Sequence, residues 1–478
     1  MNISLCRLCA VLAGGVLMSL TALHAAEAKK ADTRPNILFI IVDQQHAEML
    51  SCAGNPNLKT PAMDSLAASG ARFSLSYCAD PVCVPSRYSM MTGTMPSRVR
   101  METNEDSNKS KVSPALLQNT MGQIFSKAGY ETIYGGKAHF PMSIENAGFK
   151  QYDRKNGTDL AGKGLAKNSV QFIRQPHAKP FLMVSSFINP HDICFMAISS
   201  AKKPGTITGP KPMMDAMKIP AGVTREDFFA KLCPPLPANH AIPSGEPEAI
   251  LAADQRGFRV HARNDWSEEE WRMHRWTYAR LTEEVDSQIG EVLKALKETG
   301  LDENTLVVFT SDHGDMDGSH RLEHKSVLYD EASRVPFIVS WKGVTKAGLI
   351  DKEHLVSTGL DIIPTLCDFA GIPLPTELKG RSVRALAEGR TPASWRETIV
   401  TENGGSRMLR SARYKYVVYA TGKRNEMLTD MNEDPGEMKN LALDPAFASV
   451  LTEHRRLLKE WYPANGEVLD AKYNIKGN

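Results

Sequence analysis

Asn36-Ile-Leu-Phe-Ile-Ile-Val42 is a short, continuous apolar run, and the polar residues Asp43-Gln44-Gln45-His46 follow it at once. The same pattern recurs twice: residues 181–188 run into Asn189-Pro190-His191-Asp192, and residues 305–310 run into Ser311-Asp312-His313-Gly314-Asp315. Runs that are apolar on both faces are typical of buried parallel strands covered by helices. Ligand sites of open α/β sheets lie at the carboxyl ends of such strands. We therefore expect Asp, Gln and His side chains from three strands to meet at one edge of a sheet.

The rest of the chain predicts helices around this sheet and a smaller unit after it. Apolar residues recur every three or four positions between Tyr278 and Leu296, and Gly300 follows, which indicates a helix. Residues 200–262 are rich in Pro and Gly and indicate an irregular surface insertion, which either shapes a cleft or is a long loop. After Pro392 the pattern changes to an alternating strand at residues 413–419, a turn at 432–436 and a final helix near 445–461. The predicted fold class is α/β, a mixed, mostly parallel sheet flanked by helices over residues 35–390, with a C-terminal α+β subdomain over residues 391–478.

Composition excludes several classes of protein. The 478 residues are 42% hydrophobic and 23% charged, which is ordinary for a globular chain. The 57 Lys and Arg residues against 55 Asp and Glu give a net charge of +2. Nucleic acid is therefore not an expected partner, because phosphate binding would require a clearly basic face.

Residues 1–28 are predicted to be a signal peptide. Arg7 precedes an apolar run from Leu8 to Leu23, and small residues follow at Ala25, Ala26 and Ala28. The alternative is a retained N-terminal anchor. No later segment has about 18 consecutive apolar residues, so we expect an exported protein, periplasmic or secreted, without a membrane span in its mature form.

Six cysteines remain after removal of residues 1–28: Cys52, Cys78, Cys83, Cys194, Cys233 and Cys367. None of them forms a CxxC pair, and six cysteines in a chain of this size do not make a disulfide scaffold. Exported cysteines can still pair, and their spacing leaves the pairing open.

The stretch Cys83-Val84-Pro85-Ser86-Arg87-Tyr88-Ser89-Met90-Met91-Thr92-Gly93 has the strongest local signal. Pro85 is suited to the first turn of a helix, and Ser86 can satisfy free amides there. Because a helix N-terminus attracts anions, Cys83 would lie where an oxyanion binds. The alternative is a buried cysteine beside a helix start.

This stretch resembles the sulfatase signature Cys-x-Pro-Ser-Arg-x-Ser-x-x-Thr-Gly at every fixed position. Residues 129–139, which end in Lys137-Ala138-His139, resemble the second signature of that family. The strand ends Asp43-Gln44 and Asp312-His313 follow the order of the family, and the turn at 434–437 is similar to its C-terminal subdomain. The resemblance spans about residues 35–345 and implies an alkaline-phosphatase-like fold and a sulfuric ester hydrolase.

The resemblance also implies a mechanism. Cys83 would be oxidised during export to Cα-formylglycine by a maturation enzyme, and one hydroxyl of the hydrated aldehyde would attack the sulfate sulfur. The substrate C–O bond stays with the alcohol, and loss of the second diol proton expels sulfate and regenerates the aldehyde. Lys137, Lys325 and a divalent cation would stabilise the non-bridging oxygens.

Three further side chains receive roles. His139 is expected near the diol. Arg87, four residues after Cys83 on one helix face, is expected to hold a diol oxygen. His191 is the candidate general acid for the leaving alcohol, because an ordinary histidine pKa of about 6.5 suits proton donation near neutral pH.

The predicted metal ligands are Asp43, Gln44, residue 83, Asp312 and His313. Their hard oxygen atoms favour Ca²⁺, and after it Mg²⁺, over zinc. The family often has Asp-Asp and Asp-Asn where this chain has Asp-Gln and Asp-His. The imidazole of His313 is an unusual donor to Ca²⁺.

The predicted function is hydrolysis of sulfate esters, with a sulfated glycan or another sulfate ester as substrate. Two alternatives remain: a phosphate or phosphonate monoesterase of the same superfamily, and a non-catalytic glycan-binding relative. The sequence leaves open which sugar and position carry the sulfate, and whether it is an ester or an N-sulfate.

Overall fold

The central feature of the computed structural model is an eight-stranded sheet. The structure describes residues 33–108, 112–153, 163–252, 257–473 and 475, so the predicted signal peptide lies outside the described residues. The strands are β1 (Asn36–Asp43), β2 (Ala71–Phe73), β3 (Ser76–Tyr77), β4 (Glu131–Gly136), β5 (Lys150–Gln151), β6 (Phe181–Pro190), β7 (Thr305–Ser311), β8 (Phe337–Ser340), β9 (Leu349–Asp351), β10 (Val356–Ser357), β11 (Ile399–Asn403), β12 (Ser406–Arg410), β13 (Tyr414–Tyr419) and β14 (Glu426–Asp430). The central sheet has the order β5-β4-β6-β1-β7-β8-β2-β9, and β3 pairs with β10.

Helices cover both faces of this sheet. Those that the structure describes are α1 (Pro61–Ser69), α2 (Cys83–Thr92), α3 (Pro114–Leu117), α4 (Met121–Lys127), α5 (Lys163–Ile173), α6 (Cys194–Lys202), α7 (Lys211–Ala216), α8 (Arg225–Asp227), α9 (Ala249–Ala252), α10 (Gly257–Asp265), α11 (Glu268–Glu298), α12 (Asp330–Ser333), α13 (Thr358–Ala370), α14 (Arg384–Ala387) and α15 (Ala448–Ala464).

Strand β1 lies in the middle of the sheet and pairs in parallel with β6 and β7. Its side chains alternate between two apolar layers: Ile37, Phe39 and Ile41 pack with residues of α2, α4 and α13, and the intervening residues pack with α1, α5 and α11. Because both layers are apolar, the whole strand is apolar, as the sequence predicts. Strand β8 is antiparallel to β7 and β2, so the predicted mixed, mostly parallel sheet is confirmed.

The predicted long helix is α11. Ser267 caps its N-terminus: the Ser267 hydroxyl accepts from the Glu270 N–H, and the Glu270 carboxylate accepts from the Ser267 N–H. This reciprocal pair satisfies two amides that would otherwise lack partners. Gly300 follows the helix in a left-handed conformation, which ends it where the sequence indicates.

The C-terminal part of the chain forms a second sheet, β11-β12-β13-β14, in which the neighbouring strands are antiparallel. Apolar side chains of this sheet pack against α15. Residues 34–478 form one compact unit, so the boundary between residues 390 and 391 stays a prediction.

The insertion at residues 200–262 differs from the prediction. It contains α7, α8, α9 and part of α10 rather than irregular chain alone. Pro212 lies in the first turn of α7, where its missing N–H costs no hydrogen bond, so this proline starts a helix.

The six described cysteines are free thiols. Within the described residues, no helix is both long and apolar enough to cross a membrane.

Candidate active site

The carboxyl ends of four strands converge at one edge of the central sheet. Asp43 is in register with Pro190, and Val42 with Ser311, which brings Asp43, His191 and Asp312 to the same edge. Strand β4 ends in Gly136 and delivers Lys137, whose N–H donates to the Ser186 carbonyl at 2.9 Å. Gly136 has φ of +82°, and a Cβ there would lie 2.0 Å from the Ser186 oxygen, so only glycine permits this close approach.

Cys83 is the first residue of α2 and is wholly buried. Its Sγ lies 2.9 Å from Lys325 Nζ, 3.2 Å from His313 Nε2 and 3.5 Å from Lys137 Nζ. Burial would raise the pKa of this thiol, but Lys137, Lys325 and His313 lower it well below the ordinary value. The position of residue 83 therefore favours an anionic group.

Arg87 lies one turn further along α2 and is also buried. Its Nε donates to Asp312 at 2.7 Å, its Nη2 to Asp43 at 2.9 Å, and its Nη1 to the Lys137 carbonyl and the Ser186 hydroxyl, both at 2.7 Å. These contacts use four of the five guanidinium N–H groups. The predicted contact of Arg87 with a diol oxygen would have to use the fifth.

The two carboxylates at the centre have different environments. Burial and Cys83 would raise the pKa of Asp43, but Lys137, His191 and Arg87 hold it well below the ordinary value. Lys137 Nζ lies only 2.5 Å from Asp43 Oδ2. The pKa of Asp312 is raised by burial and by Asp43, so a further positive charge at the site would stabilise the ionised pair.

Gln44 connects this centre to Lys325. The Gln44 side-chain amide donates to Asp315 Oδ2 at 2.7 Å, and its Oε1 accepts from Lys325 Nζ at 3.0 Å. Because Asp315 accepts from the NH₂ end, the amide oxygen of Gln44 is directed towards Lys325.

His313 presents a nitrogen atom to the cluster. Its Nδ1 lies 2.9 Å from the Gly314 carbonyl and donates to it, and its Nε2 faces the site, 3.2 Å from Cys83 Sγ. Within the described residues, potential ligand atoms of Asp43, Cys83, Asp312 and His313 all lie within 4.8 Å of one another, and the four residues are buried. Such a set of donors can hold a divalent cation.

His139 and His191 also lie next to Cys83, and both are more exposed than the cysteine. His139 is exposed, and a hydrogen bond from its side chain helps to lower the pKa of the Cys83 thiol. Burial, Lys137 and Lys325 lower the pKa of His191 to about 4, against the opposing effect of Asp43. His191 is therefore neutral in the free site near pH 7.

The structure thus brings all the residues predicted for the site into one cluster. Sequence reasoning missed Ser186, which accepts a hydrogen bond from Arg87. His324, to which it assigned no definite role, contacts the side-chain amide of Gln44. Sequence reasoning also assigned no role to Asp315, although this residue belongs to the polar stretch after β7.

A buried cysteine at a helix N-terminus, two lysines in contact with it and a carboxylate-rich pocket are typical of hydrolases of anionic esters with the alkaline-phosphatase-like fold. The family model described as Sulfatase matches residues 35–372, and the model described as N-sulphoglucosamine sulphohydrolase, C-terminal, matches residues 318–462. The chain belongs to the sulfatase family and is a sulfuric ester hydrolase.

Individual relatives agree with this assignment. The chain is similar to a Delta 4,5-hexuronate-2-O-sulfatase of Bacteroides thetaiotaomicron, with 33% identity over 457 residues that cover 91% of this chain and 90% of the relative. It is 29% identical to an Ulvan-active sulfatase of Formosa agariphila over 478 residues, covering 94% of this chain and 82% of the relative. Among solved structures, a 2-O GAG sulfatase shares 30% identity with a TM-score of 0.77, covering 91% of this chain and 93% of the other. The phosphonate monoester hydrolase of Agrobacterium radiobacter shares the fold, with a TM-score of 0.70 at 22% identity, over 89% of this chain and 95% of that one.

Proposed function

We propose that this enzyme removes sulfate from a sulfated glycan by means of a Cα-formylglycine formed at Cys83 during export. The observation that carries the proposal is the cationic surround of residue 83, where two ammonium groups lie within 3.5 Å of Sγ. A sulfate monoester presents three non-bridging oxygens that share one negative charge, and fixed cations stabilise them at no reorganisation cost during the reaction. The hydrated aldehyde supplies a diol hydroxyl as nucleophile.

The donor set fits a divalent cation. Asp43, Gln44 and Asp312 offer oxygen atoms and His313 offers Nε2, and residue 83 completes the group. The predominance of oxygen supports Ca²⁺, with Mg²⁺ as the second choice. A cation held here would supply positive charge to the sulfate oxygens and to residue 83.

Lys137 and Lys325 are proposed to bind the transferring sulfate. They approach Cys83 Sγ from two different segments of the chain, the end of β4 and the loop before α12. Lys137 remains charged, because Asp43 and Cys83 raise its pKa in spite of its burial. Two cations on a small anion orient the sulfur for attack as well as stabilising charge.

His191 is proposed to protonate the leaving alcohol, and His139 to assist at the diol. With a pKa of about 4 in the free site, His191 is a strong acid once protonated but is mostly neutral near pH 7. A bound sulfate would counter Lys137 and Lys325, two of the groups that lower this pKa, and so would favour the protonated form.

A glycan substrate is supported by two relatives, since one is named for action on a hexuronate sulfate and another for action on ulvan. The proposed export rests on residues 1–28 and suits extracellular glycans. Formation of the aldehyde requires a maturation enzyme as a partner.

The proposal is tested on protein expressed with a maturation enzyme. Mass spectrometry of the peptide that contains residue 83 is expected to show formylglycine, and the enzyme is expected to release sulfate from members of a panel of sulfated saccharides. Cys83→Ala is expected to abolish release with little change in thermal stability, and Cys52→Ala, a cysteine outside the cluster, is the matched control. An active preparation in which residue 83 is wholly an unmodified thiol would refute the formylglycine mechanism.

Cys83→Ser gives a sharper test. A serine hydroxyl could accept sulfate once, but it lacks the second hydroxyl whose proton loss expels the sulfate. We expect at most one turnover per active site, with a sulfated serine detectable by mass spectrometry. Continuous turnover by Cys83→Ser would contradict the need for a diol.

Aryl sulfate and aryl phosphate are compared in parallel with the wild-type enzyme. A higher kcat/KM for the phosphate would make the enzyme a phosphate monoesterase instead.

A further inference from the structure

Glu437 ends the turn Asp434-Pro435-Gly436-Glu437 and connects the C-terminal sheet to the elements of the active site. Its side chain is buried, and its Oε2 accepts from Lys415 Nζ of β13 at 2.8 Å. Burial would lower the pKa of Lys415, but Asp330 and Glu437 raise it, so the ammonium group stays charged. A buried ion pair adds little net stability over apolar side chains of similar size. The pair is therefore better explained by the geometry that it imposes on its neighbours.

The same carboxylate oxygen of Glu437 caps helix α12. It accepts from the Asp330 N–H at 2.8 Å, and Lys415 Nζ donates to Asp330 Oδ1 at 2.9 Å. An N–H at the start of a helix has no partner within the helix, and Tyr329, which precedes α12, provides no side-chain cap. The first residue of α12 is thus held by two side chains from the C-terminal part of the chain.

The other end of α12 is hydrogen-bonded to the loops of the active site. Three consecutive carbonyls each accept a backbone N–H from a different loop: Ala332 from Gly314 at 2.8 Å, Ser333 from Cys78 at 2.9 Å and Arg334 from Ala47 at 3.1 Å. The first of these donors directly follows His313, the second lies between β3 and Cys83, and the third lies in the loop that follows Gln44. One short helix thus fixes the backbone beside three groups of the site.

Helix α12 is also closely packed against the segments on either side of Cys83. A Cβ at Gly314 would lie 1.9 Å from the Glu331 carbonyl oxygen, so this approach requires glycine. The segment that enters α12 carries Lys325, and the N–H of the next residue, Ser326, donates at 3.1 Å to the Pro81 carbonyl, just before Cys83. Because these segments are in contact, a displacement of α12 would move Lys325 relative to residue 83.

We propose that Glu437 is a positioning residue of the active site: together with Lys415 it fixes α12, and α12 fixes the loops that carry Gln44, residue 83 and His313. The Glu437 side chain accepts from Lys415 and Asp330, so we expect it to act on the reaction through α12. The C-terminal sheet would thereby contribute to catalysis. This inference rests on the proposed function for the roles of residue 83 and Lys325, and it adds a role for a turn outside the catalytic cluster.

The first test measures kcat and KM of formylglycine-containing enzyme on the sulfated saccharide that the wild type hydrolyses fastest. Glu437→Ala is expected to lower kcat ~10- to 100-fold with little change in KM, because a misplacement of about 1 Å at a catalytic group can cost about 100-fold. Glu437→Gln keeps an oxygen that accepts from the Asp330 N–H and from Lys415, so its kcat should stay close to the wild-type value. Glu433→Ala, which changes an exposed residue beside the same turn, is the control and should behave as wild type.

Amide hydrogen exchange gives a second readout that requires no turnover. In Glu437→Ala, peptides that contain Ala47, Cys78 or Gly314 are expected to exchange faster than in the wild type, because these N–H groups donate to carbonyls of α12. Exchange in β1 should be unchanged, and Glu437→Gln should match the wild type throughout. A general loss of stability would instead accelerate exchange in β1 as well.

Three outcomes overturn the inference. An unchanged kcat in Glu437→Ala, or a lower kcat without faster exchange in the three loops, would show that Glu437 does not position them. Equal losses of kcat in Glu437→Ala and Glu437→Gln would exclude the capping contact as the cause.

Glu437→Asp keeps the test decisive if Glu437→Ala does not fold. Its carboxylate keeps the charge that faces Lys415 but is one methylene further from the Asp330 N–H, so kcat should fall and the same three loops should exchange faster. Wild-type kcat and exchange in Glu437→Asp would equally overturn the inference. If the wild type releases sulfate from no saccharide, the proposed function is refuted, and the exchange comparison still decides whether Glu437 fixes the three loops.

Discussion

Replacing Arg87 by methionine tests how the two central carboxylates are held together. The guanidinium donates to Asp312 at 2.7 Å and to Asp43 at 2.9 Å, and all three side chains are buried. Methionine matches the length of the arginine side chain only as far as Nε, and it has no charge and no donor. The variant therefore leaves Asp43 and Asp312 close together, with one fewer cation between them.

The size of the effect follows from what remains around each carboxylate. Removing one partner of a buried ion pair costs about 3–5 kcal/mol. Asp43 keeps Lys137 at 2.5 Å, and Asp312 Oδ1 keeps the N–H groups of Gln44 and His313 at 3.1 and 2.9 Å. Arg87→Met should therefore lower the free energy of unfolding by an amount near the lower limit of this range, about 3 kcal/mol. For a unit as large as residues 34–478, this corresponds to a Tm lower by roughly 3 °C.

The assay is thermal unfolding in the presence of a chelator and in excess Ca²⁺. A cation between Asp43 and Asp312 would replace the missing guanidinium charge, so Ca²⁺ should raise the Tm of Arg87→Met more than that of the wild type. Arg456→Met is the matched control, because Arg456 also binds two carboxylates but is 52% exposed, and its loss should hardly change Tm. If Arg87→Met and Arg456→Met unfold at the same temperature in chelator, the buried ion pairs of Arg87 with Asp43 and Asp312 do not stabilise the fold as argued.

Three further changes probe the chemistry and the pH dependence. Lys137→Ala should lower kcat/KM for sulfate release by at least ~100-fold, since one preorganised donor contributes about 3 kcal/mol; parameters within threefold of wild type would exclude Lys137 from sulfate binding. His191→Ala should greatly slow hydrolysis of a sugar sulfate but largely spare a nitrophenyl sulfate, because the nitrophenolate needs no proton to leave. Chelation of the metal should instead abolish both activities. Equal losses of His191→Ala on the two substrates would exclude His191 as the general acid. Burial raises the pKa of Asp192 to about 7, so the contribution of the protonated Asp192 to stability is complete below pH 4 and is lost as the pH rises through 7. Asp192→Asn should therefore show a smaller fall in Tm between pH 4 and 7 than the wild type. Parallel Tm profiles of the variant and the wild type would contradict the argument.

The sheet was predictable because burial on both faces leaves a strong mark on the sequence. Three apolar runs, each followed by polar residues, predict where β1, β6 and β7 end, and the observed register places those ends together. The insertion was less predictable, because α7 and α10 have six and nine residues, which is too short for a helical period to stand out.

The environment of each site residue depends on contacts that are distant in sequence. Helical spacing predicts that Arg87 lies on the face of Cys83, but it does not indicate that Ser186, inside an apolar run, would accept one of its hydrogen bonds. The low pKa of His191 likewise depends on its burial and on Lys137 and Lys325, which come from separate segments of the chain. A motif can therefore predict which residues meet, while their charge states follow only from the folded arrangement.

The departure of residue 44 from the family pattern has a physical reason in this arrangement. A carboxylate at position 44 would face Asp315, and the two buried negative charges would repel each other. The amide of Gln44 instead offers an N–H to Asp315 at one end and an oxygen to Lys325 at the other. Gln44 and Asp315 are thus complementary, and the oxygen available to Lys325 or to a cation is kept without adding a third negative charge to Asp43 and Asp312.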